Sequence, residues 1–192
     1  MNIQGFFAEE FDEHERVVAA TRKALLDPFR RLVEASVSAV RAGNKICFFG
    51  NGGSAADSQH LATELAVRYK KNRPAIPAVA LTTDSSALTA IANDFSFDEL
   101  FSRQVEALCR KGDVVIGIST SGKSENVIRG LQAAKAQGCI AAAFGGKGGG
   151  RLVGVADPLL LVPSDTTSRI QEMHITLGQM LCGALEIELG YA

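Results

Sequence analysis

The sequence predicts an α/β fold, a five-stranded parallel sheet with helices on both faces, preceded by two N-terminal helices. Three observations carry this reading. After Gly43 the chain falls into short apolar runs, each followed by a loop and a longer segment; strands of a parallel sheet, covered on both faces, read as such continuous runs. Before Gly43 the apolar residues recur at helical spacing instead. Two of the short runs end in loops rich in glycine and serine, the place where open parallel sheets bind ligands.

The elements follow in order. Phe7, Phe11, Val18 and Leu25, then Phe29, Leu32, Val33, Val37 and Val40, mark two helices between Phe6 and Ala42, with Pro28 placed to open the second because its fixed φ suits a first helical turn. Five strands are expected at Lys45 to Phe49, Ala78 to Thr82, Val114 to Ile118, Cys139 to Phe144 and Leu159 to Val162. Gly145 to Gly150 reads as a flexible connection after the fourth strand rather than a second phosphate loop. From Thr166 to Leu189 a long helix is apolar on more than one side, through Ile170, Ile175, Leu177, Met180, Leu181, Leu185 and Ile187; such a helix suits burial in its own core or packing on another subunit. One domain over residues 1–192 is expected, with 1–42 as leading helices and 43–192 as the α/β core, since 192 residues at 46% hydrophobic content bury one good core but not two.

Composition excludes several classes. Twenty Lys and Arg against 21 Asp and Glu give a net charge of -1, with no basic block to track a nucleic-acid backbone. Cys47, Cys109, Cys139 and Cys182 are widely spaced with no C-x-x-C pair, which argues against a zinc knuckle or disulfide scaffold and for reduced core thiols. The N-terminus is acidic through Glu9, Glu10, Asp12, Glu13 and Glu15, and no run approaches a membrane span. A soluble cytoplasmic protein with no nucleic-acid or membrane partner is expected.

The chemistry concentrates in two loops. Residues 113–124, Asp-Val-Val-Ile-Gly-Ile-Ser-Thr-Ser-Gly-Lys-Ser, run from a strand into hydroxyls and then a helical segment. A helix start leaves backbone N–H groups unpaired and carries partial positive charge, so Ser119, Thr120, Ser121 and Ser124 can complete a shell of donors around a phosphate. Gly117 to Ser124 also satisfies the Walker pattern literally, but no later strand ends cleanly in an Asp to hold magnesium. A small phosphorylated molecule is the better expectation, and an ordinary serine-rich helix cap is the bland one. The first strand ends in Gly50-Asn51-Gly52-Gly53-Ser54, where glycines allow close backbone approach to a ligand. The helix after it carries His60 and Glu64 on one face, with Arg68 a further turn along. That spacing alone is as compatible with a surface pair as with a metal site.

In combination these residues resemble the sugar-isomerase (SIS) domain family, and within it the phosphoheptose isomerases. The matching stretches are Gly50 to Asp57, Gln59-His60, Glu64, Arg68-Tyr69, Ala80 to Asp84, Ala92-Asn93-Asp94, Phe101 to Val105, Gly117 to Ser124 and Arg169 to Glu172. The resemblance covers most of the chain from Lys45 onward. It implies an SIS-type sheet with flavodoxin-like layering, a homotetramer whose neighbouring subunits complete each site, and one zinc ion per subunit. The activity implied is conversion of sedoheptulose 7-phosphate to glycero-manno-heptose 7-phosphate, the first step toward heptose precursors of lipopolysaccharide core or other glycans. Carried over residue by residue, Asn51, Gly52 and Gly53, with Ser54, Arg68, Asn93 and Asp94, contact the sugar. Ser119, Thr120, Ser121 and Ser124 hold the phosphate. Glu64 is the base, and His60, Glu64 and Gln171 ligate zinc, with Gln171 also touching substrate. The family places a histidine eight residues beyond this glutamine as a further zinc ligand and acid–base partner. Here that metal and catalytic position is Gln179; an amide oxygen coordinates weakly and cannot shuttle a proton near neutral pH. His174 is the nearest other imidazole, expected on a different side of the helix.

Two other classes share the pattern. Proteins resembling the replication-initiator-associating proteins keep the fold as tetrameric binding modules and tend to lose the catalytic glutamate; retention of Glu64 favours the enzyme, while Gln179 favours the module. An SIS regulator that senses a sugar phosphate would use the same serines without turnover.

Overall fold

The computed structural model describes residues 2–191. Helix α1 spans Ile3–Ala24, opened by Asn2, whose side chain accepts from the Gly5 amide at 3.2 Å, a standard N-cap bond. Helix α2 follows at Leu26–Arg41, with Pro28 in its first turn. The apolar spacing that marks α1 does not correspond to burial. Only Val17 and Thr21 of α1 are buried, while Phe6, Phe7 and Phe11 stand exposed; the aromatic stripe of this helix faces away from the core that the chain builds for itself.

The five strands are β1 (Ile46–Gly50), β2 (Ala78–Ala80), β3 (Val114–Ser119), β4 (Ile140–Gly145) and β5 (Leu159–Leu161). They form one parallel sheet in the order β2-β1-β3-β4-β5. Three strands run one residue further than expected at their C-terminal ends, because Gly50, Ser119 and Gly145 still share the ladder, and β2 stops at Ala80, where the chain turns away after the Leu81 amide bonds the Phe48 carbonyl.

The other helices are α3 (Gly53–Ala66), α4 (Ser85–Asp94), α5 (Ser102–Leu108), α6 (Glu125–Ala136) and α7 (Thr167–Glu188). Alternate strand residues feed two cores, as the pleat requires. Ile46, Phe48, Ile116 and Phe144 pack with Leu32 of α2, Leu61 and Leu65 of α3 and Leu181 of α7. On the other face Cys47, Phe49, Val115 and Ala143 pack with Val105 of α5 and Val127 and Leu131 of α6. The helices therefore cover both faces, as the apolar runs imply. Strand order reverses between β1 and β3, and this switch point opens a crevice beyond their C-terminal ends.

Candidate functional site

Both ligand loops border that crevice. After β1, Gly50 is held so closely that a Cβ there would lie 2.7 Å from Ser54 and 2.8 Å from the Ile118 carbonyl, and Gly52 takes φ +56 to turn the chain into α3. Ser54 is buried against this turn and Ser58 donates to its carbonyl at 2.7 Å. The loop is tied to its neighbour by Asn51 and Asn126, whose side-chain amides exchange two hydrogen bonds of 2.9 Å each. Asn126 is buried; the sequence reading missed it. Its only signal was an amide in the first turn of a helix that follows a phosphate-type loop.

After β3 the hydroxyls gather. The Ser119 and Ser124 oxygens lie 3.3 Å apart, the Gly122 amide donates to Ser119 and the Lys123 amide to Ser121, both at 3.2 Å. Ser124 stands at the N-cap of α6 yet makes no side-chain capping bond, so the helix start keeps its first N–H groups for a ligand. This distinguishes the loop from an ordinary serine cap. The first glycine of the Walker pattern is not part of the loop. Gly117 lies inside β3, wedged on Val127 and Leu131, leaving Thr120 to Ser124 between strand and helix.

The glycine run after β4 is packed, not free. A Cβ on Gly122 would overlap the Gly149 carbonyl, one on Gly150 would sit 2.9 Å from the Gly122 carbonyl, and the Arg151 amide donates to that carbonyl at 2.9 Å. Backbone lies on backbone, so residues 146–150 brace the loop that follows β3.

Helices α3 and α7 bring the remaining polar groups together. Gly178 permits the approach, since a Cβ there would meet Leu61 at 2.5 Å. Around it, His60 Nε2 lies 3.3 Å from Glu64 Oε1 and 3.3 Å from Gln179 Nε2. At the other end of the contact the Gln171 amide would be 2.9 Å from a Cβ on Gly53. An imidazole, a carboxylate and two amides thus line the seam that leads up to the first ligand loop.

The SIS domain family profile matches residues 11–146. The chain belongs to the SIS domain family. It is 57% identical over 186 residues, 97% of each protein, to a phosphoheptose isomerase of Paramagnetospirillum magneticum. A phosphoheptose isomerase of Aquifex aeolicus is likewise 57% identical over 149 residues, 78% of each. The solved structure of the Neisseria gonorrhoeae phosphoheptose isomerase aligns with a TM-score of 0.92 at 42% identity, across 97% of this chain and 100% of that one. Such likeness along the whole length makes this SIS domain protein an isomerase of the phosphoheptose class.

In this SIS fold the other sequence-predicted residues are more scattered. Asn93 and Asp94 end α4, exposed, and bond each other at 2.7 Å. Arg68 is not a further turn of the His60–Glu64 line: α3 ends at Ala66, and Arg68 lies exposed in the chain beyond. The helix stops because its last carbonyls are taken by Arg73, which donates to Glu64 O at 2.8 Å and Leu65 O at 2.6 Å. His174 is excluded from the crevice. It is fully buried beneath β4, with Nε2 at 3.1 Å from the Gly145 carbonyl and Nδ1 without a partner among the described residues; burial pushes the imidazole down to about 4, against the opposing pull of that carbonyl.

Proposed function

We propose that the chain is an aldose–ketose isomerase that converts sedoheptulose 7-phosphate to glycero-manno-heptose 7-phosphate, supplying heptose precursors for lipopolysaccharide core or other glycans. One observation carries the mechanism: Glu64 sits 3.3 Å from His60 on the helix that starts at one ligand loop, while the other loop offers hydroxyls and helix-start N–H groups for the phosphate. Ser119, Thr120, Ser121 and Ser124 anchor the phosphate, and Asn51, Gly52, Gly53 and Gln171 orient the sugar end. Ser54 supports the first loop from beneath, and Arg68, Asn93 and Asp94 serve the sugar from the assembled oligomer. Glu64 removes the C1 proton of the ketose, and the C–H electrons become the C1–C2 double bond of an enediolate as charge moves to the C2 oxygen. The hydroxyl proton passes from the C1 oxygen to the C2 oxygen, and Glu64 returns its proton to C2, leaving the carbonyl at C1. Gln179 orients His60 and transfers no proton, since an amide does not titrate here.

Zinc belongs to the same proposal. His60 and Glu64 supply an imidazole and a carboxylate, and Gln171 and Gln179 would complete the set through amide oxygens; among the described residues no cluster of three His, Cys, Asp or Glu is present. The donors fit a weakly held ion, one per subunit, better than a tight structural one. When bound, such an ion polarises substrate oxygens as a Lewis acid.

The outward apolar residues support self-association, which we take to be a homotetramer: Phe6, Phe7 and Phe11 on α1 and Met180 and Ile187 on α7 are half exposed or more. We take residues 1–192 as a single SIS domain. We place the enzyme in the cytoplasm because its four cysteines are free and buried; among the described residues no helix is long and apolar enough to cross a membrane. The test is turnover of sedoheptulose 7-phosphate, with and without added zinc, beside Glu64→Gln. Turnover lost in the variant supports the isomerase; sugar phosphate bound without turnover marks a sensor or binding module instead.

A further inference from the structure

Two charged side chains beyond the C-terminal end of α3 are almost wholly buried. The Arg73 side chain is 1% exposed and that of Glu186, on α7, 2%, and they pair at 3.1 Å. Their remaining bonds fall in one pattern. Glu186 accepts the backbone amides of Tyr69 at 3.1 Å, Lys70 at 3.1 Å and Lys71 at 3.2 Å. Arg73 donates to the carbonyls of Glu64, Leu65 and Pro74 at 2.8, 2.6 and 3.0 Å. The Tyr69 ring meanwhile lies close enough to α7 that a Cβ at Gly183 would be 3.1 Å from it. Gln179, Gly183 and Glu186 follow at intervals of four and three, so they share one face of α7.

We infer that Arg73 and Glu186 form a clamp that positions Glu64 for proton transfer. The clamp joins the last turn of α3, through the carbonyl of Glu64 itself, to the same face of α7 that presents Gln179. It also folds residues 69–71 back over the end of α3 and so fixes where Arg68 leaves the helix. A planar guanidinium suits the task because its fork reaches several carbonyls and one carboxylate at once, which a lysine ammonium cannot do. Arg73 and Glu186 are positioning residues: Arg73 reaches Glu64 through its backbone carbonyl and not through its carboxylate.

This inference rests on Glu64 as the base, so its test needs a readout that survives failure of that reading. Arg73→Lys keeps the charge opposite Glu186 and loses the fork. In the full chain, kcat on sedoheptulose 7-phosphate is expected to fall tenfold or more with KM changed less than threefold, while the thermal midpoint stays within a few degrees. On the same protein, amide hydrogen exchange is expected to rise at Tyr69, Lys70 and Lys71 and stay slow in β1 and β3. A folded Arg73→Lys with kcat within twofold of the parent overturns the clamp; so does exchange that rises equally across the sheet, which marks a general stabiliser. If Arg73→Lys does not fold, Glu186→Gln, which keeps an acceptor for the three amides, is measured in its place with the same expectations. A parent chain without turnover refutes the isomerase reading and with it the clamp's role in proton transfer; the exchange pattern then decides only whether the pair holds residues 69–71, and unchanged exchange overturns that as well.

Discussion

His174 makes stability depend on pH in a way that can be isolated. Its ring is fully buried with its Nε2 on the Gly145 carbonyl, and burial lowers its folded pKa from 6.5 to about 4. Between those values the unfolded chain binds a proton that the folded chain does not, so stability falls as pH drops through that window. Linkage puts the loss from pH 7 to pH 5 at about 2 kcal/mol, or roughly 4–8 °C in the unfolding midpoint for a chain of this size. Other groups titrate over the same range, so the informative quantity is a difference. In His174→Gln the amide can still donate to the Gly145 carbonyl but does not titrate. Urea unfolding of both proteins at pH 7 and pH 5, at matched concentration, is expected to show the parent losing about 2 kcal/mol more than the variant. Equal losses in the two proteins would refute the argument, because they would mean that the buried imidazole keeps its solution pKa.

Three further outcomes are expected. Gly178→Ala drives a methyl group into Leu61, prising α3 from α7; a loss of about 1–3 kcal/mol by chemical denaturation should accompany a fall in turnover, and neutral stability would show that the contact yields easily. Gln179→His replaces an amide with an imidazole beside His60 and should raise zinc affinity roughly tenfold or more, read by calorimetric titration of the metal-stripped protein. Gly122→Ala forces a Cβ onto the Gly149 carbonyl at φ +63 and should weaken binding of sugar phosphate and inorganic phosphate alike, at a stability cost of about 1–3 kcal/mol; a loss confined to the sugar would contradict the bracing role of residues 146–150.

What was legible in the sequence was local. Apolar runs gave the five strands to within a residue or two, and the pairing of a strand with a glycine or serine loop located both sides of the crevice, because these features are written in consecutive residues. His60 and Glu64 were legible for the same reason, being one turn apart on one helix. Arg68 was misplaced because α3 is ended from outside, by Arg73 and by a carboxylate at Glu186, 117 positions beyond Tyr69 in the chain, which no window around residue 66 contains. Asn126 and the packed Gly145 to Gly150 run were likewise invisible, since their meaning lies in a partner loop brought near only by the β1, β3 and β4 register. The outward face of α1 was not legible, because helical spacing reports an apolar stripe but not which way it points.

The seating of Gly149 and Gly150 against Gly122 divides the crevice into parts with different tolerance to change. The end proposed to hold the phosphate is shaped by main chain lying on main chain, so few side-chain replacements elsewhere can reshape it. The end proposed for the sugar is shaped by the tips of side chains on α3 and α7 and by amides such as Asn51, each replaceable on its own. A scaffold built this way can drift among sugars of different length and configuration while keeping its grip on the phosphate, and selection for a new substrate has most of its room along the α3–α7 seam.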